Sequence, residues 1–261
     1  MPQNIEEIMA KYYMAMGGLE NLRSWKSMKA TAKYIMVAQG GAEVSVIVWY
    51  KAPDKTRLEI SQNGEIAIYV VTNESAWMCD ASRGFPEPTP LPEDQALEAI
   101  DNADVYPFID YQKKGHKIEF LGIEEFEGAE VYKVKLIQNS GAESFHLLDV
   151  RTGKELKIIN KIWRNGKEMI YETIERDFRK VDGLLLPFLT EHIINGIQVR
   201  KMLIEDVEIN IEIDDALFQQ ETQKKELIQN RGILFCCFSG SKSQSLAFPR
   251  KIRRFYQRLS H

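Results

Sequence analysis

Cysteine is scarce in this sequence and unevenly placed. Of Cys79, Cys236 and Cys237, only the first falls within residues 1–218. A lone cysteine cannot close an internal bridge, so the body has no disulfide framework, and no CxxC pair marks a redox or metal site. Histidine is sparse too. His116, His146, His192 and His261 include no HExxH and no pair at i and i+4, which argues against zinc. No apolar run reaches eighteen residues, so no transmembrane helix is expected. GxSxG, P-loop and strand-following GxGxxG patterns are missing. Basic charge is short where nucleic acid would require it: residues 1–218 carry 25 Lys/Arg against 36 Asp/Glu. These absences leave a body with no signature of a metal, a cofactor, a nucleic acid or a catalytic centre.

What is present begins with a helix. Ile5, Ile8, Met9, Tyr12 and Met16 form one apolar stripe at helical spacing. Asn4 can cap it, with Glu7 in the reciprocal position of a capping box. Gly17-Gly18 supplies the left-handed backbone that ends a helix. A short turn, Leu19 to Trp25, leads onward.

The pattern then changes to period two. Residues 29–38, 42–50, 55–61 and 65–72 read as consecutive strands rich in Val, Ile and aromatics. In 42–48 both alternating faces are largely apolar, so that strand is expected to be covered on both sides. Asn63-Gly64, Asn165-Gly166 and Asn195-Gly196 are tight-hairpin signals, because Asn-Gly accepts the positive φ angles such turns demand. Further strands follow at 117–123, 129–138, 144–150, 155–163, 168–177, 184–194 and 198–209. The whole is a mainly β meander of about eleven or twelve antiparallel strands. That many strands are expected to curve into a full or incomplete barrel around the N-terminal helix.

One long interruption breaks the meander, from about Asp80 to Gly115. It opens with four of the chain's nine prolines in seven residues. A helix is predicted over Glu93–Ala103, and an unusually apolar stretch, Val105 to Tyr111, follows it. Insertions of this length are commonly lids or binding loops, and a plug for one end of the barrel is the competing reading. Elsewhere the chemistry is thin. Cys79 lies near Trp77 with no base placed by the sequence, His116 sits in a Lys-Lys-Gly-His turn, and Glu124-Glu125 reads as solvated.

Several blocks carry a resemblance. They are Tyr13-Met-Ala-Met-Gly-Gly-Leu-Glu-Asn-Leu22, Tyr50-Lys-Ala-Pro-Asp-Lys-Thr-Arg-Leu-Glu59, Trp77, and Asp110-Tyr-Gln-Lys-Lys-Gly-His-Lys-Ile-Glu119. Gly122, Glu127-Gly128 with Tyr132-Lys-Val-Lys135, Phe178-Arg-Lys-Val-Asp-Gly183, Leu186-Pro187 and Ile213-Asp-Asp-Ala-Leu-Phe218 complete them. In this order and spacing the chain resembles the LolA-like group of outer-membrane lipoprotein-sorting proteins over almost all of 1–218. The resemblance implies an unclosed β-barrel wrapped around helices, with an apolar cavity that shelters lipoprotein acyl chains in transport. It implies a periplasmic location and a membrane-bound receptor as a further partner. The N-terminus lacks the basic and apolar regions of a secretory signal, so the expectation is a chain beginning near a mature start, or a cytoplasmic one if the start is native.

Candidate ligand-binding residues are Trp49, Arg57, Leu58, Trp77, Phe108 and Tyr111, with core packing as the alternative role for each aromatic. Arg57 and Leu58 cannot both point inward on a regular strand. The resemblance favours an inward Arg57, able to tie the lid by hydrogen bonds, while periodicity favours Leu58. The expected function is a non-enzymatic, monomeric lipid or lipoprotein carrier. An envelope sensor on the same fold is the alternative. Residues 219–261 carry nine Lys/Arg and two Asp/Glu and read as a separate, partly disordered basic tail. Ile252, Phe255, Tyr256 and Leu259 could form an apolar helix face there, either on an anionic membrane or without a selected role.

Overall fold

A computed structural model describes residues 4–164 and 167–220. The N-terminal helix, α1 (Ile5–Ala15), buries Ile8, Met9 and Tyr12, as the apolar stripe requires. Asn4 caps it by accepting from the Glu6 backbone N–H at 3.0 Å. Gly17 then lies so close to Gly183 that an added Cβ would sit 2.3 Å from its carbonyl oxygen. Only glycine fits that approach, which lets the Leu185 N–H bond the Met16 carbonyl at 3.0 Å and pins the helix end to the sheet. A second short helix, α2 (Leu19–Ser24), follows.

Among the described residues thirteen strands form one antiparallel sheet. The first six are β1 (Ser27–Met36), β2 (Ala42–Lys51), β3 (Lys55–Gln62), β4 (Glu65–Val71), β5 (Ala76–Asp80) and β6 (Phe85–Pro90). After α3 (Glu93–Asp101) come β7 (Lys117–Phe126), β8 (Ala129–Ile137), β9 (Glu143–Asp149), β10 (Glu155–Arg164), β11 (Lys167–Val181), β12 (Leu184–Ile194) and β13 (Ile197–Ile209). The order across the sheet is β6-β5-β4-β3-β2-β1-β13-β12-β11-β10-β9-β8-β7, so β1 pairs with β13 and both β6 and β7 are edges. The sheet is open. The Asn-Gly hairpins at 63–64 and 195–196 have positive φ at both residues and close the registers Gln62 to Glu65 and Ile194 to Ile197. Asn165-Gly166 lies outside the described residues, between strands that pair up to Arg164 opposite Lys167.

The count exceeds the expected eleven or twelve because β5 leads up to the interruption and β6 occupies its start. Pro86, Pro88 and Pro90 fall at every second position of β6, an edge strand where a missing N–H costs no ladder bond. The alternate N–H of Leu91 still donates to the Ala76 carbonyl, at 2.9 Å.

Flat, thirteen strands at about 4.8 Å spacing would span about 60 Å. The sheet instead curls around α1, which is only about 16 Å long. Tyr12, Met9 and Ile8 pack in one core with Tyr132, Val134 and Leu136 of β8, with Phe188 of β12 and with Tyr50 of β2. Half-buried Ile118 and Phe120 of β7 and Met28 of β1 adjoin the same core. The segment 103–111 enters that core as a plug. Phe108 is fully buried at its centre, edge-on to Tyr12 at 5.3 Å, and Tyr106 and Ile109 accompany it. Tyr13 donates to the Phe108 carbonyl at 2.7 Å, and Arg23 grips Asp110 at 2.6 Å. The apolar stretch predicted as lid or plug is therefore a plug, while α3 lies over β4 and β5. The last described segment, 211–218, crosses the opposite, convex face. Ile213–Phe218 there ends in a short 3-10 turn with Asp214 as cap. The basic tail beyond residue 220 lies outside the described residues.

Candidate functional site

The register separates the six predicted ligand residues. Trp49, Arg57, Val70 and Trp77 oppose one another strand by strand, making a transverse row across β2 to β5. This row is on the convex face, where Val70 and Trp77 pack with Ile213 and Phe218, and Trp49 adjoins them. Arg57 donates to the Leu217 carbonyl at 2.9 Å and pairs with Glu59 at 2.6 Å. Where the resemblance implies an inward arginine able to tie the lid, the side chain lies on the convex face and ties down the chain's 211–218 stretch. Leu58 points the other way, to the concave face. Phe108 is in the concave core. Tyr111 is half-buried at the plug's outer end, where its hydroxyl accepts from Gln112 at 3.2 Å. Periodicity placed Leu58 where the structure has it.

The concave face has two unequal ends. One is filled by α1 and the plug. The other is an apolar trough in which Ala32, Tyr34, Val44 and Val46 are buried, and Met36, Val48, Leu58, Ile60, Met202 and Ile204 are partly exposed around them. Every member of this cluster is a strand residue, so the side chains face the hollow of the sheet. The cause is local: alternate positions of β1, β2, β3 and β13 are apolar and share one face. The α3 helix bridges the mouth. It contacts β4 and β5, and its Asp101 carbonyl accepts from the Gln138 side chain, just past β8, at 2.8 Å. Leu97 of α3 is 58% exposed, an apolar side chain with no core of its own.

Between filled end and trough lies a polar floor that the sequence reading did not single out. Ser144 and His146 alternate on β9 and share the concave face, with Glu155 of β10 beside them. All three are buried. Ser144 Oγ and His146 Nε2 are 2.8 Å apart, and His146 Nδ1 bonds the Glu155 carboxylate. Phe108 lies against the imidazole at 4.5 Å between ring centroids. Glu175 is next to this chain, and its Oε2 has no hydrogen-bond partner among the described residues. Burial, reinforced by Glu155, holds the Glu175 carboxyl well above the usual range. Burial and then the Arg200 charge push the neighbouring His192 imidazole down to about 3. Tyr12 is raised chiefly by burial, then by Glu155.

The Ser-His-Glu order matches the hydrogen-bonding order of a nucleophilic serine. Yet β9 is paired on both sides, so the N–H groups around Ser144 belong to the ladder and make no oxyanion hole. Cys79 donates to the Pro86 carbonyl at 3.1 Å, within the β5–β6 pair. His116 Nδ1 accepts from the Asn139 N–H at 3.1 Å, a local turn contact. Among the described residues no group of three His, Cys, Asp or Glu side chains is placed to hold a metal, and no helix is long and apolar enough to cross a membrane.

No family model and no curated protein matches this chain. Solved structures do. A domain described as outer membrane lipoprotein-sorting, from Vibrio parahaemolyticus, has TM-score 0.56 and 12% identity, covering 84% of this chain and 97% of its own. A LolA superfamily protein from Nitrosomonas europaea has TM-score 0.56 and 11% identity, covering 85% and 100%. A DUF1329 family protein from Desulfovibrio piger has TM-score 0.57 and 10% identity, covering 82% and 98%. At such identities the likeness is one of fold. The chain has the LolA-like fold, an open antiparallel sheet wrapped around helices.

Proposed function

We propose that this protein is a non-enzymatic carrier that shelters a lipoprotein acyl chain, or the chain of another lipid, for transport between bacterial membranes. The observation that carries the reading is the apolar trough, whose partly exposed Met36, Leu58, Ile60 and Met202 lie on the concave side of the sheet. Each methylene moved from water to such a surface contributes about 0.8 kcal/mol, so about ten would supply ~8 kcal/mol before ordering costs, the micromolar range. The shared fold of a lipoprotein-sorting domain supports this reading, as it does a periplasmic site of action and handover to a membrane-bound receptor. Within this proposal the carrier domain is residues 1–218. Leu58 and, through the plug, Phe108 serve the cavity, while Trp49, Arg57 and Trp77 brace it from outside. Mass spectrometry of organic extracts from natively purified protein tests the proposal. Lipid recovered in near-stoichiometric amount is expected, whereas lipid-free protein that also takes up no added acyl chain would overturn it.

A further inference from the structure

Beneath the last turn of α3 is a cavity of about 230 Å³, far above the ~15 Å³ that one water needs. Its walls include Glu98 and Asp101 of α3, Gln138, Ser144, Asn160 and Ile162. Ser144 and Asn160 are cross-strand partners on the concave face of β9 and β10. Ile162 follows Asn160 by two residues on that face, so the polar cavity adjoins the apolar interior.

In the tautomer that donates Nδ1–H to the Glu155 carboxylate, His146 Nε2 is an acceptor. Ser144 then gives its single proton to Nε2, and its remaining lone pairs are free to receive. The Asp101 carboxylate and the negative end of a helix add further acceptor character. Lys161 alone is basic among the described residues lining the cavity, and its ammonium lies over the Phe145 ring at 5.7 Å, on the convex side of β9. Among the described residues that line the cavity, a carboxylate or phosphate would meet acceptors and, apart from Lys161, no basic side chain.

We propose that this cavity is a subsite for the uncharged, hydroxyl-bearing polar end of the ligand, such as a glycerol ester, with Ser144 and Asn160 as its principal contacts. The inference rests on the carrier reading and specifies its ligand class. The hydroxyls donate to Ser144 Oγ and the Asn160 side-chain oxygen, and the acyl chain runs past Ile162 into the hollow of the sheet.

The test compares monoolein with methyl oleate, which share chain and ester but differ in hydroxyl donors. Each displaces N-phenyl-1-naphthylamine from the full-length, delipidated protein. The expected result is about tenfold tighter binding of monoolein, the scale of one or two net hydrogen bonds, and a preference of less than about twofold in Ser144→Ala. Asn160→Leu is the second variant, should the first misfold, and binding of the apolar dye by either variant reports an intact trough. Equal affinities in the wild type, or a preference that survives in folded variants, would overturn the subsite. If the dye fails to bind and isothermal titration calorimetry detects binding of monoolein but not of methyl oleate, the apolar trough reading falls and the subsite stands. If none of the three binds, both fall.

Discussion

Glu175 is half-buried on the concave face, its Oε2 shut off from solvent, with a second carboxylate, Glu155, acting on it. In the unfolded chain a glutamate titrates near pH ~4.3. In the folded protein Glu175 keeps its proton to a higher pH, so the native state binds more protons and its stability contribution is lost as the pH rises. Glu175→Gln retains the shape and removes the titration. The variant is expected to match the wild type near pH 4 and to melt at increasingly higher temperature than it from pH 5 to pH 8, read by differential scanning fluorimetry. A difference that does not change with pH would contradict this assignment. His192 gives the opposite limb. Its depressed value means the unfolded chain binds the extra proton, so stability present above about 6.5 is lost as the pH falls towards 3. Glu175→Gln leaves that acid limb in place.

Among the elements, the 211–218 segment shows how the convex face is held. Phe218 is buried with Trp77 and Val70, and Lys51 and Lys55 both reach Asp215, at 2.8 and 3.0 Å. Phe218→Ala is expected to cost about 3 kcal/mol in urea denaturation and to expose the chain near residue 219 to protease. Wild-type stability in the variant would show that the segment is not part of the fold. Alternation made most strands legible beforehand, and so did the α1 stripe from Ile8 to Tyr12. It could not reveal β6, because prolines at every second position read as loop until β5 is known to shield the other register. Nor could alternation say which face of a strand is concave. Arg57 and Leu58 stayed open because the resemblance and periodicity pointed opposite ways, and the face that carries Ser144 and His146 stayed open as well. The polar floor was hidden for the same reason: Ser144, Glu155 and Glu175 become neighbours only through strand pairings over long separations. The short spacing of Ser144 and His146, two residues apart between apolar positions, was the one local trace of it.

At the scale of the whole molecule, the curled sheet holds two separate apolar clusters, and α1 and the plug belong to one of them. The filled end carries the aromatic core around Phe108, and the other end carries a second apolar cluster of strand side chains, four of them buried and six partly exposed. Bridging the mouth with α3, which leaves Leu97 exposed, suits a compartment whose contents exchange. Overall fold and open topology were legible in the order of the motifs, whereas the division of the hollow into core, polar floor and trough required the structure. The most direct measurement is fluorescence titration of N-phenyl-1-naphthylamine into delipidated wild-type protein and Ile60→Glu, a change in the trough far from the aromatic core. Saturable binding at micromolar concentration by the wild type, lost in a variant of unchanged fold by circular dichroism, is predicted. Absence of binding by the wild type, or equal binding by the two, would contradict the carrier account.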